Sequence, residues 1–111
     1  MLNILFVCSQ NKWRSPTAEQ IYKKHPVVNV RSAGTSNSAR HKITAKDIQW
    51  ADTIFVMEEK HKSRIKSEYT RLLNYKQIQV LDIPDEYQYM DDELMVMIKQ
   101  SVDSYIAKHS G

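Results

Sequence analysis

Five residues separate the chain's single cysteine, Cys8, from Arg14 in the run Cys8-Ser9-Gln10-Asn11-Lys12-Trp13-Arg14-Ser15-Pro16. A sulfur and a guanidinium at that spacing can share one bound anion. If the intervening loop curls into a cradle, its backbone N–H groups point inward and Arg14 closes it with a planar fork. That fork matches two oxygens of a phosphate, which a lysine point charge does not. Positive charge beside a thiol favours the thiolate, its nucleophilic form. The chemistry such a site offers is attack by sulfur on a bound phosphorus, giving a cysteinyl-phosphate that water later removes. Asn11, mid-loop, suits a left-handed backbone position or a side-chain bond that holds the loop's shape. A lone cysteine at a strand end can equally be a small buried hydrophobe, with Arg14 at the surface; the flanking elements favour the cradle.

Those elements are legible on both sides. Leu2-Asn3-Ile4-Leu5-Phe6-Val7 is a short apolar run that suits a buried parallel strand. Ser15 suits a helix N-cap and Pro16 the first helical position, with Ala18, Ile21 and Tyr22 on one face of the helix that follows. The cysteine thus precedes a helix N-terminus, where free N–H groups and positive dipole collect. Downstream, Pro26 closes that helix and Val27–Arg31 reads as a second strand, with a polar loop from Gly34 to Ile43. Thr44 and Asp47 form a capping pair for a short helix carrying Ala45, Ile48 and Ala51. Thr53–Met57 is a third strand, and a charged helix over about 58–75 presents Ile65, Tyr69 and Leu72 inward. Ile78–Leu81 is the fourth strand, Asp82–Tyr89 a loop, and about 91–108 a last helix burying Leu94, Ile98, Val102 and Tyr105 or Ile106. This alternation predicts an α/β fold with a parallel sheet, right-handed crossovers and helices on both faces. Ligands then bind beyond the carboxyl ends of the strands, where both Cys8 and the 82–89 loop fall.

Ile4-Leu5-Phe6-Val7-Cys8 through Arg14-Ser15-Pro16-Thr17-Ala18-Glu19 closely resembles the low-molecular-weight protein tyrosine phosphatases. Ser32-Ala33-Gly34-Thr35 is similar to that family's second signature. Ser38-Ala39-Arg40 with Ala51-Asp52-Thr53-Ile54-Phe55-Val56-Met57-Glu58 is similar to a third. The resemblance implies a three-layer αβα, flavodoxin-like fold with a four-stranded parallel sheet in the order 2-1-3-4. It implies a phosphomonoester hydrolase, acting on phosphotyrosine or an aryl phosphate, in which Cys8 is the nucleophile and Arg14 the phosphate clamp. Ser15 then hydrogen-bonds the sulfur and helps it leave, and Asn11 stiffens the loop. Ser9, Gln10, Asn11, Lys12, Trp13, Arg14 and Ser15 form the substrate cradle.

A cysteinyl-phosphate route with an alcohol or phenol as leaving group benefits from an acid that protonates the departing oxygen. In Ile83-Pro84-Asp85-Glu86-Tyr87, Asp85 best matches the family's acid, with Tyr87 two places on as a substrate contact. Asp82, nearer the strand end, is its rival, and Asp91 and Asp92 read as helix N-terminal charges. The chain departs from the family at Gln10, Lys12 and Trp13, at Glu86, and in a shortened segment between Thr35 and Ser38. The missing segment normally supplies an aromatic wall, for which Trp13, Tyr87 or Tyr89 are the candidates. His25, His41, His61 and His109 lack metal-ligand spacing and read as solvated, as does the Lys60, Lys62, Arg64, Lys66 run.

The length sets one domain over 1–111, and 41% hydrophobic with 26% charged residues is ordinary for a globular protein. Gly34 is the one internal glycine, which excludes glycine-rich nucleotide loops. A single cysteine, no apolar run of membrane-spanning length and no signal-like N-terminus lead to an expected cytoplasmic location. No cofactor or metal is expected. The net charge of +3 allows an anionic partner, a phosphorylated protein or small aryl phosphate, without pointing to nucleic acid or membrane. Two other functions fit the same residues: a phosphate- or phosphoprotein-binding module with little turnover, and a single-cysteine arsenate reductase using an external thiol. A phosphocysteine carrier shares the strand–cysteine–loop idea, but Arg14 and the Asp85 loop argue against it.

Overall fold

The computed structural model describes residues 1–109. Strand β1 (Leu2–Cys8) leads into helix α1 (Arg14–Tyr22), then β2 (Val28–Gly34), α2 (Ala45–Trp50), β3 (Thr53–Val56) and α3 (Glu59–Tyr69). A 3-10 turn (Thr70–Leu73), β4 (Gln77–Val80) and α4 (Asp92–His109) complete the chain. The strands pair in parallel in the order β2-β1-β3-β4, as the resemblance implied. Because successive strand side chains point to opposite faces, β1 divides the core. Ile4, Phe6 and Cys8 join Ala18 and Tyr22 of α1 and Leu94, Ile98, Val102 and Ile106 of α4. Leu5 and Val7 join Ile48 of α2 and Ile65 of α3 on the other face. Each fully buried aliphatic or aromatic side chain contributes roughly 1.5–3 kcal/mol. Among the described residues no helix is long and apolar enough to cross a membrane.

Several boundaries differ from the sequence reading. Strand β2 runs to Gly34 instead of stopping at Arg31, because β1 offers it a continuous ladder from Leu2↔Val28 to Cys8↔Gly34. Helix α1 starts at Arg14 with Trp13 at the N-cap and no side-chain cap. Ser15, expected as the cap, lies inside the first turn, and its hydroxyl is held by Cys8 and Asn11. The expected 58–75 helix ends at Tyr69. There the Thr70 hydroxyl bonds the Lys66 carbonyl, the chain tightens into the 3-10 turn, and Tyr75 takes a positive φ of 69°. The Thr44–Asp47 capping box is present, but Ala45 is exposed and Ala51 sits buried just beyond α2. Asp91 receives the Glu93 and Leu94 N–H groups and so caps α4.

The carboxyl ends of β1, β3 and β4 open on one rim of the sheet, and β2 seals its side through Gly34. A Cβ there would lie 2.5 Å from the Ser9 carbonyl oxygen, 2.6 Å from the Ala39 Cβ and 3.0 Å from the Asn11 nitrogen. Two of these contacts are backbone of the loop after Cys8, which cannot retreat without changing shape. Gly34→Ala should therefore destabilise the fold by about 1–3 kcal/mol, the cost of forcing atoms into a filled site. Urea unfolding measures it; a variant as stable as the parent would show that this loop yields freely.

Candidate active site

The loop after β1 is shaped by bonds to its outer side. Carbonyls of Cys8, Ser9 and Gln10 accept from the N–H groups of Thr35, Ser36 and Arg40, each at 3.0 Å. In a trans peptide the N–H points opposite to its C=O, so the Ser9, Gln10 and Asn11 N–H groups turn toward the inner side. Asn11 makes the corner with a φ of 53°, a conformation asparagine tolerates better than most residues. Its buried amide donates to Ser15 Oγ and Ser32 Oγ, each at 2.9 Å, and the Ser32 hydroxyl donates to Glu19 Oε1 at 2.6 Å. The curl is thus pinned from β2 and α1 as well as from the 35–40 loop.

Cys8 lies at the floor, with Sγ 3.0 Å from Ser15 Oγ. The Ala33 carbonyl, 3.3 Å from Ser15 Oγ, competes for the hydroxyl proton. A thiolate can only accept, so with the sulfur ionised Ser15 donates to it. Arg14 is 2% exposed. Its Nη1 donates to Glu58 Oε2 at 2.6 Å and to the Ile83 carbonyl at 2.7 Å, which fixes the guanidinium from behind. The Nε lies 3.6 Å from Asp85 Oδ1. Cys8, Gln10, Lys12, Trp13, Arg14 and Asp85 line one cavity of about 190 Å³.

Other expected site residues fall elsewhere. Tyr87 is not among the cavity's lining residues and packs against the hydrophobic cluster of α1 and α4. Tyr89 edges a separate depression with Pro16 and Arg40. Trp13 is the aromatic at the mouth, 37% exposed, with Lys12 Nζ 5.1 Å from its ring centroid. Of the rival acids, Asp85 faces the cavity, whereas Asp82 is exposed, has a φ of 56° and does not line it. The Ser9 hydroxyl leaves the cradle and bonds His61. Among the described residues no three His, Cys, Asp or Glu side chains are grouped to hold a metal ion.

His61 corrects the reading of all four histidines as solvated: it is 1% exposed. It occupies the third position of α3, where Nδ1 accepts the N–H of Glu58, the helix N-cap, at 3.0 Å. Its Nε2 therefore carries the proton and donates to Ser9 Oγ at 2.9 Å. Burial, and next the positive charge of Arg14, push its pKa down to about 4 against an opposing pull from Glu58. Glu58 was likewise overlooked as a site residue. Burial raises its carboxyl pKa, but the Arg14 hydrogen bond and the charges of Arg14, Lys60 and His61 outweigh this and hold it low. The capping-box position of His61, three residues after Glu58 at a strand end, was the signal available in the sequence.

The same histidine in the unfolded chain titrates near 6.5. Between that value and about 4 the unfolded state binds a proton that the folded state refuses, so stability falls as pH falls. Above 6.5 both states are neutral and the contribution is complete; below 4 both are charged and no further loss follows. The shift corresponds to about 3 kcal/mol at full expression. In denaturant titrations across this window, His61→Gln should remove most of that acid-side slope. An unchanged slope would assign acid sensitivity to the carboxylates.

Residues 3–46 match the family model described as low molecular weight phosphotyrosine protein phosphatase. No curated protein matches the chain by sequence. Among solved structures, SP-PTP, the low molecular weight protein tyrosine phosphatase from Streptococcus pyogenes, superposes with a TM-score of 0.80 at 20% identity, covering 100% of this chain and 95% of that one. The tyrosine phosphatase Wzb from Escherichia coli K30, in complex with phosphate, gives 0.78 at 21% identity over 98% of this chain and 99% of that one. The YwlE arginine phosphatase from Geobacillus stearothermophilus gives 0.75 at 21% identity over 100% and 99%. The chain therefore resembles the low-molecular-weight phosphatases in sequence over its strand–loop–helix and second strand, and in fold throughout.

Proposed function

We propose that this chain, with the low-molecular-weight phosphatase fold and that family's signature over residues 3–46, hydrolyses a phosphate ester through a cysteinyl-phosphate. The observation that carries the reading is the joint position of Cys8, Arg14 and Asp85 on one small cavity, beneath N–H groups turned inward. The inward amides and Arg14 hold the phosphoryl oxygens as charge builds in the transition state. The Cys8 thiolate attacks phosphorus; the S–P bond forms as the bridging P–O bond breaks, and Asp85 gives its proton to the leaving oxygen. Water then attacks the phosphorus with Asp85 taking its proton, and the S–P bond breaks to return thiolate and inorganic phosphate. The Ser15 hydroxyl, 3.0 Å from Sγ, lowers the cost of the departing sulfur's charge.

The cradle recognises phosphate and is blind to the group beyond the bridging atom; the mouth selects that group. Trp13 supplies a flat apolar surface there, which suits the phenol ring of phosphotyrosine or another aryl phosphate. A structural neighbour described as an arginine phosphatase makes phosphoarginine the comparison substrate. A planar guanidinium also stacks on an indole, so the two substrates are measured side by side.

Turnover of p-nitrophenyl phosphate in the presence of a chelator should be lost by several orders of magnitude in Cys8→Ser. Metal-dependent turnover that survives the substitution would end this reading. Tight phosphopeptide binding without a stoichiometric burst of phenol would identify a binding module. Asp85→Asn should lower turnover of a poor-leaving-group phosphate by about 10²–10⁴-fold, the usual worth of a positioned acid, with phosphate affinity little changed. If Asp82→Asn has that effect and Asp85→Asn does not, the acid is Asp82.

A further inference from the structure

Behind the cradle lies a second, larger depression of about 480 Å³, whose lining includes Ser9, Ser36, Ser38, Lys60, His61 and Arg64. It opens beside the 35–38 segment, which is short in this chain. Every lining side chain is neutral and polar or cationic, and none is a carboxylate or a phenylalanine, tyrosine or tryptophan ring. The two hollows share a wall. Ser9 lines the larger, Gln10 lines the smaller, and Gln10 Oε1 accepts from Ser38 Oγ at 3.1 Å across the divide.

We propose that this groove is an acidic-side-chain subsite: it receives a carboxylate or second phosphate on a peptide whose phosphorylated residue occupies the cradle. The inference rests on the phosphatase reading for the cradle's occupant, but its own basis is the groove's charge and position. Lys60 is 3.9 Å from Glu58, which already has a closer partner in Arg14, and the Lys60 side chain is 65% exposed. Arg64 bonds Glu68 through Nε alone and is 47% exposed. Both cations therefore retain donors for an incoming anion. Consecutive residues of an extended peptide advance about 3.3 Å, so a side chain one or two places from the phosphorylated residue spans the Ser9–Gln10 wall. A nucleic acid is the weaker fit, because the groove's one ring, His61, is 1% exposed and tied to Ser9 and Glu58, leaving no open face on which a base would stack.

The test uses non-hydrolysable phosphonate peptides of equal length, one with acidic flanking residues and one with alanines, and reads affinity by fluorescence anisotropy. The acidic peptide should bind about fivefold tighter, the scale of two exposed ion pairs. The preference should fade at about 1 M salt, where charges beyond about 3 Å are screened. Comparing both peptides within each protein cancels changes common to the cradle; in Lys60→Glu/Arg64→Glu the preference should vanish or reverse. Equal affinities in the parent, a preference untouched by salt or by the double substitution, or tighter binding of a phosphorylated oligonucleotide would overturn the subsite. Selective binding without hydrolysis of any phosphate ester leaves the subsite standing and removes the catalytic reading. Hydrolysis of p-nitrophenyl phosphate without peptide preference does the reverse, and failure to bind either peptide overturns the subsite.

Discussion

The curl of the loop after β1 depends on where its carbonyls go. With the Cys8, Ser9 and Gln10 oxygens bonded outward to the 35–40 segment, trans-peptide geometry turns the following amides inward. No side chain on the loop could impose this alone. It needs a second backbone passing within hydrogen-bond reach, and β2 brings that backbone in by ending at Gly34, where a single methyl group would collide with the loop. Asn11 makes the matching corner and ties it to Ser32 on the same strand. The curl of this loop is therefore a property of the β1–β2 pair, with α1 supplying the Arg14 cation beside it.

Electrostatics follow from that framework. Arg14 is buried, and a buried guanidinium needs partners. Glu58 and the Ile83 carbonyl meet this need on one side of the guanidinium, and its Nε lies on the side facing Asp85 and the cavity. Beside this pair His61 is held neutral, an N–H donor to Ser9 and an acceptor for Glu58. A second positive charge at His61 would lie against Arg14 and would lose the bond that caps α3. One rim thus joins β1, β3 and the loop after β4 through a small set of polar contacts, and no buried side-chain polar atom among the described residues lacks a partner.

The two hollows on this rim differ in ways that bear on selectivity. The smaller holds the sulfur, the guanidinium and one carboxylate, with indole at its mouth. The larger is wide and cationic. In the function proposed above, phosphate recognition falls to the first, and discrimination among phosphorylated partners to the mouth and the second, the places where the sequence departs from the resemblance, at Trp13, Gln10 and the short 35–38 segment.

The sequence alone determined the strand–loop–helix, the parallel alternation, the capping box at Thr44 and the candidacy of Cys8, Asn11 and Arg14. Those features rest on spacing within one or two turns of chain, and local spacing survives in any tertiary context. Only the tertiary structure decided that His61 is buried, that Glu58 backs Arg14, that Asp85 faces the cavity in place of Asp82, and that Tyr87 packs against the core. Each is a contact between segments far apart in the chain, such as Arg14 with Glu58 or Ser9 with His61. The same holds for the end of β2, which gained its last residues from its partner strand. Side-chain type fixes what a residue can bond. The packing of elements chooses which of those bonds it makes.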